Sequence, residues 1–305
     1  PYEGPNIAPG DIEITLAMGG KKTFVDNVYL PDRGGINRVF TLQPDKSLVP
    51  GELWTNSIEM KLVPFSKTLS VSKWETRSVD YNRYLKATGK NVGEVILADN
   101  PLVPVVGLTR AECEESCQWL TKSERDNPNP DLNRITKDYR YRLPSDLEWS
   151  KMAGLIEVGE TPAERESEIV NSGQFPWGES FPPDESVGNY ADLSAVEFLE
   201  NDRIIEGYND GFEKLAPVGE FNPNIIGLYD IGGNVHEWVS DSYGNTERGI
   251  LRGGGWDTFS EEHLEMRCRF PFDVEYRSES FGFRVVLIRD VEQELIEESE
   301  DDGGD

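Results

Sequence analysis

The sequence predicts an α+β protein in which much of the chain is irregular. Its 305 residues are 37% hydrophobic and include 7 Trp, 11 Tyr and 13 Phe, which is enough for a sizeable core. Short runs of β-forming residues occupy the first fifty positions, and helical patterns with capping residues are confined to 78–155. After residue 157 glycine, proline and aromatic residues dominate, which predicts short strands linked by long loops.

Three β-type runs lie within residues 1–50: DIEITLAM, KTFVDNVYL and INRVFTLQP. Each is bounded by Gly, Pro, Asp or Asn, as strands joined by turns are. With the preceding PG turn and the final L-x-P, their order resembles the second half of a PEGA-type module, a small β-sandwich repeat of bacterial surface and signalling proteins. The resemblance implies a partial PEGA-like segment over residues 1–50. A β-rich extension of the main domain is the alternative.

Three segments have the periodicity and the capping residues of helices. They are 78–89 with Ser78 as cap, 109–126 with Thr109 as cap, and 143–155, where Ser145 and Glu148 form a capping box. The long loops expected after residue 157 need interactions that hold them together, and bound cations are the natural candidate in a chain without disulfides.

The chain carries a formal net charge of −27. Such an excess of carboxylates disfavours binding to nucleic acid and to an anionic membrane. Cationic partners, divalent metals and neutral sugars or peptides stay open. Part of the charge lies in residues 290–305, which we expect to form an acidic, mobile tail.

No apolar run in the sequence is long enough to span a membrane as a helix. The chain begins PYEGPNIAPG, without an initiator Met or a signal-peptide pattern. We therefore expect that an upstream portion, which could hold an address or an anchor, is missing from this sequence.

Three cysteines and two histidines limit the available chemistry. Cysteines so few and odd in number do not make a disulfide framework. Cys113 and Cys117 are four apart on a predicted helix, and we expect both to be buried or half-buried small apolar residues. Two histidines cannot build a multi-histidine iron or copper site, and we expect His236 to be a half-buried loop residue.

The segment GLYDIGGNVHEWVSD, residues 227–241, combines adjacent glycines with three carboxylates just before a predicted strand. This composition suits neither a helix nor an ordinary hairpin. A hard cation requires six to eight oxygen ligands, and glycines let the backbone turn its carbonyls inward. The segment therefore predicts backbone folded around a cation.

Eight motifs succeed one another in a distinctive order. They are MKLVPFSKTLSVSKWETRSVDYNRYL, NPLVPVVGLTRAECEESCQWL, YRYRLPSDLEWSKMAGL, FPWGESFPP, GNYAD, DGFEKLAPVGEFNPNIIGLYDIGGNVHEW, ILRGGGWD and FGFRVVL. Their order resembles the formylglycine-generating enzyme, or sulfatase-modifying-factor, family over about residues 56–288. The resemblance implies a C-type-lectin-like fold with much irregular chain, which we assign to residues 51–289, and one or two structural calcium ions.

The resemblance also implies which residues hold these ions. One set comes from the GNYAD and DGF stretches and comprises Asp192, Leu193, Asp210 and Phe212. The other comes from the GLYDIGGNVHEW stretch and comprises Asp230, Gly233, Val235 and Glu237. Asp and Glu supply side-chain oxygens, and the remaining residues supply main-chain carbonyls. The alternative is that Asp230 and Glu237 cap turns and pair with a nearby arginine.

Members of the family that generate formylglycine bind copper(I) through two cysteines five residues apart, because soft thiolates suit this ion. When Arg267 and Arg269 are aligned with the two arginines of the family motif, Glu265 and Phe270 occupy the cysteine positions. Cys268 falls between the arginines, and in a strand its side chain would face away from both. We therefore expect no copper site and no formylglycine generation.

The segment between RGGGW and GFR is the ligand-facing surface of the family. The resemblance implies a groove that mixes aromatic anchors with charge. The candidate ligand-binding residues are Trp256, His263, Glu265, Arg267, Arg269 and Tyr276. The alternative is that the arginines pair with acidic residues and that the aromatics fill the core.

We expect a non-catalytic, calcium-stabilised binding or interaction module, a pseudoenzyme whose partner is a protein or carbohydrate ligand or a larger assembly. The alternatives are a sulfatase-modifying-type oxidoreductase with an altered active site and a structural subunit of an envelope or filament. An extracytoplasmic or cell-envelope location is the expected one.

Overall fold

The computed structural model describes residues 10–16, 24–30, 48, 51–91, 99–127, 135–167, 173–183, 187–200 and 202–290. The chain divides into two compact units, Pro1–Ser47 and Leu48–Asp305. The third predicted strand, within 36–44, and the acidic segment 291–305 lie outside the described residues.

The described residues of the N-terminal unit form two antiparallel strands, β1 (Gly10–Leu16) and β2 (Phe24–Leu30). Gly10 lies opposite Leu30, and Leu16 lies opposite Phe24. Both strands fall within predicted β-type runs, so these two predictions are confirmed. The PEGA-like assignment stays a prediction.

In the described residues of the larger unit, the strands form two small sheets. The first has the strand order β3-β4-β5-β11-β6, and the second has the order β10-β7-β8-β9. The strands are β3 (Trp54–Thr55), β4 (Lys61–Pro64), β5 (Leu69–Ser72), β6 (Tyr139–Arg142), β7 (His236–Ser242), β8 (Gly249–Arg252), β9 (Phe270–Phe272), β10 (Phe281–Gly282) and β11 (Val286–Arg289). Strand β11 pairs antiparallel with both β5 and β6, so the end of this unit closes against its beginning.

Five α-helices lie in the described part of the chain: α1 (Ser78–Thr88), α2 (Arg110–Arg125), α3 (Asp146–Met152), α4 (Pro162–Ser167) and α5 (Glu261–Leu264). The first three confirm the predicted helices. Thr109 and Ser145 cap α2 and α3 as predicted, each accepting from the backbone N–H three residues on. The cap predicted at Ser78 is wrong, because Arg77 is the N-cap and Asp80 accepts from its N–H at 3.2 Å.

The expectation of an α+β fold is therefore confirmed, with short strands and long connections after α3. None of the described helices has the length and apolar character needed to cross a membrane.

The hydrophobic core explains the placement of the helical cysteines. Cys113 and Cys117 are buried free thiols on α2 and pack in one cluster with Leu120, Trp238 and Phe283. Burial raises the pKa of both thiols, so neither is a thiolate at neutral pH. Both cysteines act as small apolar residues, as predicted.

A sharp turn leads into β7 and depends on backbone conformations that favour glycine. Gly227, Asp230, Gly233 and Asn234 all have positive φ, with φ +90° at Gly233. A Cβ at Gly233 would lie 2.9 Å from the carbonyl oxygen of Asn189 and equally close to the neighbouring tyrosine ring. Both the backbone angle and the packing therefore require glycine at position 233.

One buried carboxylate of the core has no cationic partner among the residues that the structure describes. Glu124 of α2 accepts from Ser57 N–H at 2.8 Å, from Ser57 Oγ at 2.7 Å and from Tyr141 Oη at 2.8 Å. Burial raises the pKa of Glu124 to about 7 from 4.5. The group is therefore close to half protonated at neutral pH.

The Glu124→Gln variant tests this burial. A raised folded-state pKa stabilises the protein fully below the unfolded-state pKa, and this contribution is lost as pH rises through 7. Glutamine imitates the protonated form, so the variant gains about 2–3 kcal/mol on the parent between pH 5 and pH 8. Urea unfolding at both pH values measures this gain, and exposed Glu52→Gln is the control. A difference between variant and parent that does not change with pH would contradict the assignment.

The Gly233→Ala variant tests the turn, with Gly207→Ala as its control. Gly207 also has positive φ, +82°, but a Cβ there meets nothing within 4 Å. The control loses about 1–2 kcal/mol from backbone strain alone. Gly233→Ala loses about 1–3 kcal/mol more because the methyl group overlaps a carbonyl and an aromatic ring. Denaturant unfolding in chelator gives both values, and equal losses would contradict the packing described here.

Candidate functional site

The turn before β7 encloses more buried carboxylates than cations. Glu75, Asp230 and Glu237 are buried and all face the guanidinium of Arg284. Burial, together with the neighbouring charges of Asp230 and Glu237, raises the pKa of Glu75 well above its usual range. Burial also raises the pKa of Asp230 to about 6. The four groups leave negative charge in excess when all are ionised.

Each of these three carboxylates, Glu75, Asp230 and Glu237, accepts hydrogen bonds from identifiable donors. Glu237 accepts from Arg284 Nη2 at 2.7 Å and from Trp149 Nε1 at 2.9 Å. Glu75 accepts from Asn234 Nδ2 at 2.8 Å and from Val235 N–H at 3.1 Å. Asp230 accepts from Gly219 N–H at 2.8 Å. The pairing of Glu237 with an arginine is the alternative stated in the sequence analysis.

The participation of Glu75 was missed at the sequence level. It lies 160 residues before Val235, to whose N–H it is bonded. Nothing in its local segment, KWETRS, marks it as a buried group. Only the fold brings these segments together.

Apart from these three carboxylates, a pair of carboxylates, Asp192 and Asp210, joins two loops. Asp210 donates its N–H to Asp192, whose other oxygen accepts from Ser194 N–H at 2.7 Å. Asp210 accepts from Tyr190 N–H and Phe212 N–H, both at 2.9 Å. Burial and then the nearby Asp192 charge raise the pKa of Asp210 to about 7. No salt bridge of the described side chains neutralises this pair.

The predicted main-chain ligands lie beside these carboxylates in the chain. Leu193 begins a short 3-10 helix, Leu193–Ala195, which Asp192 caps. Gly233 and Val235 lie in the turn between Asp230 and Glu237. Among the described residues, no three His, Cys, Asp or Glu side chains are arranged to hold a metal ion. A metal ion bound by Asp192 and Asp210, or by Asp230 and Glu237, would therefore need carbonyl oxygens to complete its coordination shell.

The stretch that carries the two cysteine positions of the family is a turn rather than the predicted strand. Helix α5 ends at Leu264, Cys268 N–H donates to Glu265 O at 2.9 Å, and β9 begins only at Phe270. The expectation that Arg267, Cys268 and Arg269 lie in a strand is wrong, because this reverse turn intervenes. Glu265 forms an ion pair with Arg267.

The thiol of Cys268 is not activated by its surroundings. Burial, with a contribution from the charge of Glu166, raises the pKa of Cys268 to about 12. It therefore stays protonated across the physiological range.

Arg269, at the end of this turn, belongs to a buried ionic cluster that holds the turn against α3. Its guanidinium, 2% exposed as a residue, donates to Asp146 at 3.0 Å and to Glu157 at 2.8 Å. Arg252 and Arg165 also pair with Asp146. The structure therefore places Arg269 in the core rather than on a ligand-facing surface.

Trp256 also differs from its predicted role. It is 5% exposed and its Nε1–H donates to Glu279 O at 3.1 Å, while Lys214 stacks over the ring. Both Trp256 and Arg269 follow the alternative of pairing and core packing. Arg267 is half-buried and donates from Nη1 to Glu166 O at 2.8 Å.

His263 and Tyr276 do line a cleft, together with four phenylalanines. The cleft has a volume of about 390 Å³. Phe270, which the resemblance aligns with the second family cysteine, packs edge-to-face between His236 and His263 at centroid distances of 4.6 Å and 5.4 Å. The remaining aromatic walls are Phe259, Phe272 and Phe281.

The floor of this cleft is polar. His236 is buried, and its Nε2 lies 3.1 Å from Thr258 Oγ1 and 3.8 Å from Asp257 Oδ1. Burial lowers the pKa of His236 to about 4, although Asp257 acts in the opposite direction. Ser280 Oγ donates to Asp257 Oδ2 at 2.8 Å. His236 was expected to be a half-buried loop residue, but it begins β7 and is nearly fully buried.

Comparison with known proteins supports the fold and the motif order. The FGE-sulfatase family, described as the sulfatase-modifying factor enzyme 1-like domain, matches residues 54–289. The solved structure of PvdO from Pseudomonas aeruginosa has a TM-score of 0.53 with this chain at 19% identity, covering 79% of this chain and 99% of PvdO.

Curated relatives match shorter parts of the chain. Inactive C-alpha-formylglycine-generating enzyme 2 of Mus musculus is 32% identical over 135 residues, which cover 40% of this chain and 41% of that protein. Formylglycine-generating enzyme of Mus musculus is 35% identical over 102 residues, 33% of this chain and 22% of that protein. Chaperone protein LppX of Paenibacillus barcinonensis is 28% identical over 170 residues, 54% of this chain and 55% of that protein.

The chain thus spans less than two thirds of the length of these curated relatives. The family match, by contrast, extends over most of the larger unit and includes the turn, both carboxylate pairs and the cleft. The chain therefore belongs to the sulfatase-modifying factor enzyme 1-like domain family.

Proposed function

We propose that this protein is a non-catalytic binding module of its family, stabilised by calcium, whose ligand occupies the cleft beside β9. The observation that carries the proposal is the identity of the residues at the two family cysteine positions, Glu265 and Phe270. Glu265 is engaged by Arg267, and Phe270 is packed between two histidine rings. Neither side chain can bind copper(I) as a thiolate does.

No other pair of thiols can replace them. The chain has three cysteines. Cys113 and Cys117 are buried in the core of α2, and the pKa of Cys268 is raised to about 12 by burial. The similarity to a relative named as inactive supports the same conclusion.

The cleft supports the binding role. Its volume of about 390 Å³ falls within the range of small-ligand sites, and its aromatic walls and polar floor are typical of such sites. The ligand class expected from the sequence is a protein or carbohydrate, and the similarity to a relative named as a chaperone supports a protein partner. An extracytoplasmic location and participation in a larger assembly stay predictions.

Calcium would relieve the excess of buried negative charge. Asp192 and Asp210, with the carbonyls of Leu193 and Phe212, would hold one ion. This set fits well, because the buried Asp192 and the adjacent half-buried Asp210 share no cationic side chain among the described residues. When bound, the ion would supply positive charge and join the two loops.

The second proposed ion would be held by Asp230, Glu237 and the carbonyls of Gly233 and Val235. This fit is weaker than the first, because Arg284 already donates to both oxygens of Glu237. The raised pKa values of Asp230 and Glu75 nevertheless indicate that one guanidinium does not balance three carboxylates. Both ions would be structural rather than catalytic.

Calcium is expected to raise the melting temperature of the protein. A ligand that binds only the folded state at 100 times its Kd adds about 2.7 kcal/mol, which is roughly 5–10 °C for a domain of this size. Magnesium at the same concentration gives a smaller shift, because it requires stricter octahedral geometry. Thermal unfolding followed by circular dichroism in chelator, calcium and magnesium measures both shifts.

Asp192→Asn and Asp230→Asn assign the shift to the two sites, with exposed Asp99→Asn as the matched control. Each site variant loses part of the calcium-dependent shift, and the control keeps all of it. A melting temperature indifferent to calcium, or a shift that both site variants retain, would argue against the calcium part of the proposal.

The protein is also expected to leave a sulfatase-type cysteine peptide unchanged in the presence of copper(I), oxygen and a thiol reductant. Mass spectrometry of the peptide is the readout, and an active formylglycine-generating enzyme is the positive control. Conversion by the parent that disappears in Cys268→Ser would overturn the non-catalytic assignment. The Glu265→Cys/Phe270→Cys variant is assayed for the copper(I) bound per chain. We expect copper to bind, which would show that the site lacks only the pair of thiols.

A further inference from the structure

The floor of the cleft contains a carboxylate with one unsatisfied oxygen. Asp257 Oδ2 accepts from Ser280 Oγ at 2.8 Å, whereas Asp257 Oδ1 is buried and has no hydrogen-bond partner. The nearest imidazole nitrogen, His236 Nε2, is 3.8 Å away and within hydrogen-bond distance of Thr258 instead. A buried acceptor without a donor is costly unless a ligand supplies the donor.

A second polar atom of the floor is also unsatisfied. His236 is more than nine-tenths buried, and its Nδ1 has no hydrogen-bond partner. His236 and Asp257 both line the cleft, so the two unsatisfied side chains lie at the same place. Two residues that line the cleft therefore each have a buried polar atom without a hydrogen-bond partner.

The walls of the cleft suit a positively charged group. Phe272 packs against Phe281 at a centroid distance of 4.9 Å and against Tyr276 at 5.4 Å, and Tyr276 is 52% exposed. Phe259 and Phe270 complete the aromatic lining. The faces of such rings carry negative electrostatic potential and attract a cation.

The cationic side chains near the cleft are engaged elsewhere. Arg203 lines the rim, but its side chain is 59% exposed and pairs with Glu200 at 3.4 Å. Lys214 pairs with Glu279, and Arg277 pairs with Glu112. Among the described residues, the charge of Asp257 is therefore left without a lysine or arginine counter-ion.

From this geometry we propose that the cleft binds a small free amine, with its primary ammonium group donating to the Asp257 carboxylate, whose side chain is 33% exposed, and its apolar body lying among the aromatic walls. A primary ammonium offers both positive charge and N–H donors, whereas a neutral hydroxyl lacks the charge and a quaternary ammonium lacks the donor. The inference rests on the proposed binding function of the cleft and names the ligand chemistry for it.

Phenethylammonium is the probe, and 2-phenylethanol and phenethyltrimethylammonium are its neutral and quaternary counterparts. Isothermal titration of the full chain at low ionic strength gives the three Kd values. The primary ammonium is expected to bind at least 10-fold more tightly than the alcohol and at least 3-fold more tightly than the quaternary compound. Equal affinities for the ammonium and the alcohol would overturn the inference.

Asp257→Asn is expected to weaken phenethylammonium binding at least 10-fold and to leave 2-phenylethanol binding unchanged. Tyr276→Ala is expected to weaken both probes, and Asp99→Asn, the same charge change at an exposed position outside the cleft, is expected to weaken neither. Unchanged ammonium affinity in Asp257→Asn would overturn the inference. If Asp257→Asn does not fold, the ratio of the two affinities in the parent decides the question.

The two proposals fail differently. Binding of 2-phenylethanol without preference for the ammonium would overturn the amine inference and leave the cleft as a ligand site. Binding of none of the three probes, in a protein whose folding is confirmed by circular dichroism, would overturn both the amine inference and the assignment of the ligand to this cleft.

Discussion

Buried carboxylates that outnumber buried cations are the constraint on which one side of this domain depends. At the turn before β7, three carboxylates face the single guanidinium of Arg284. Arg284 also donates to Ser72 O at 3.1 Å and to Tyr229 O at 2.8 Å, so it joins the first sheet to the turn. Its removal would leave uncompensated charges in the interior, which is far more costly than losing a surface ion pair. The Asp192 and Asp210 pair has the same imbalance without any cationic side chain from the described chain.

On the other side of the cleft, buried arginines outnumber the carboxylate with which they pair. Asp146 at the start of α3 pairs with three arginines, those at positions 165, 252 and 269. Arg269 precedes β9 directly, so this buried cluster determines where Phe270 enters the cleft wall. The turn before β7 determines where His236 enters the floor. Two ionic clusters of opposite sign thus position the two faces of the same cleft, although neither cluster lines it extensively.

The fold was predictable where local chemistry decides it. The capping boxes at Thr109 and Ser145 and the glycine-rich turn before β7 are local patterns, and each was found where the sequence indicated. The order of the motifs identified the family because it records the whole arrangement. The turn at 265–269 was mistaken for a strand, since its alternating residues fit either conformation and the contacts that decide it come from Asp146 of α3 and Glu166 of α4.

The site was less predictable than the fold for the same reason. Arg269 and Trp256 have the composition of ligand contacts, and only burial shows that they serve the core. Glu75 and Asp257 lie in family motifs, but no local pattern singles either of them out, and their contacts come from partners distant in the chain. Charge balance in the interior is a property of the assembled fold, so single-sequence patterns indicate candidate ligands but not which charges remain uncompensated.

The metal content of the purified protein tests the central claim most directly. The protein is exchanged into chelator-treated buffer containing calcium, freed of unbound metal, and analysed by inductively coupled plasma mass spectrometry against its amino-acid content. The account predicts one or two calcium ions per folded chain, retained through gel filtration and removed by a strong chelator. A folded protein that retains no calcium would contradict it, because the buried carboxylates would then be balanced without a divalent ion.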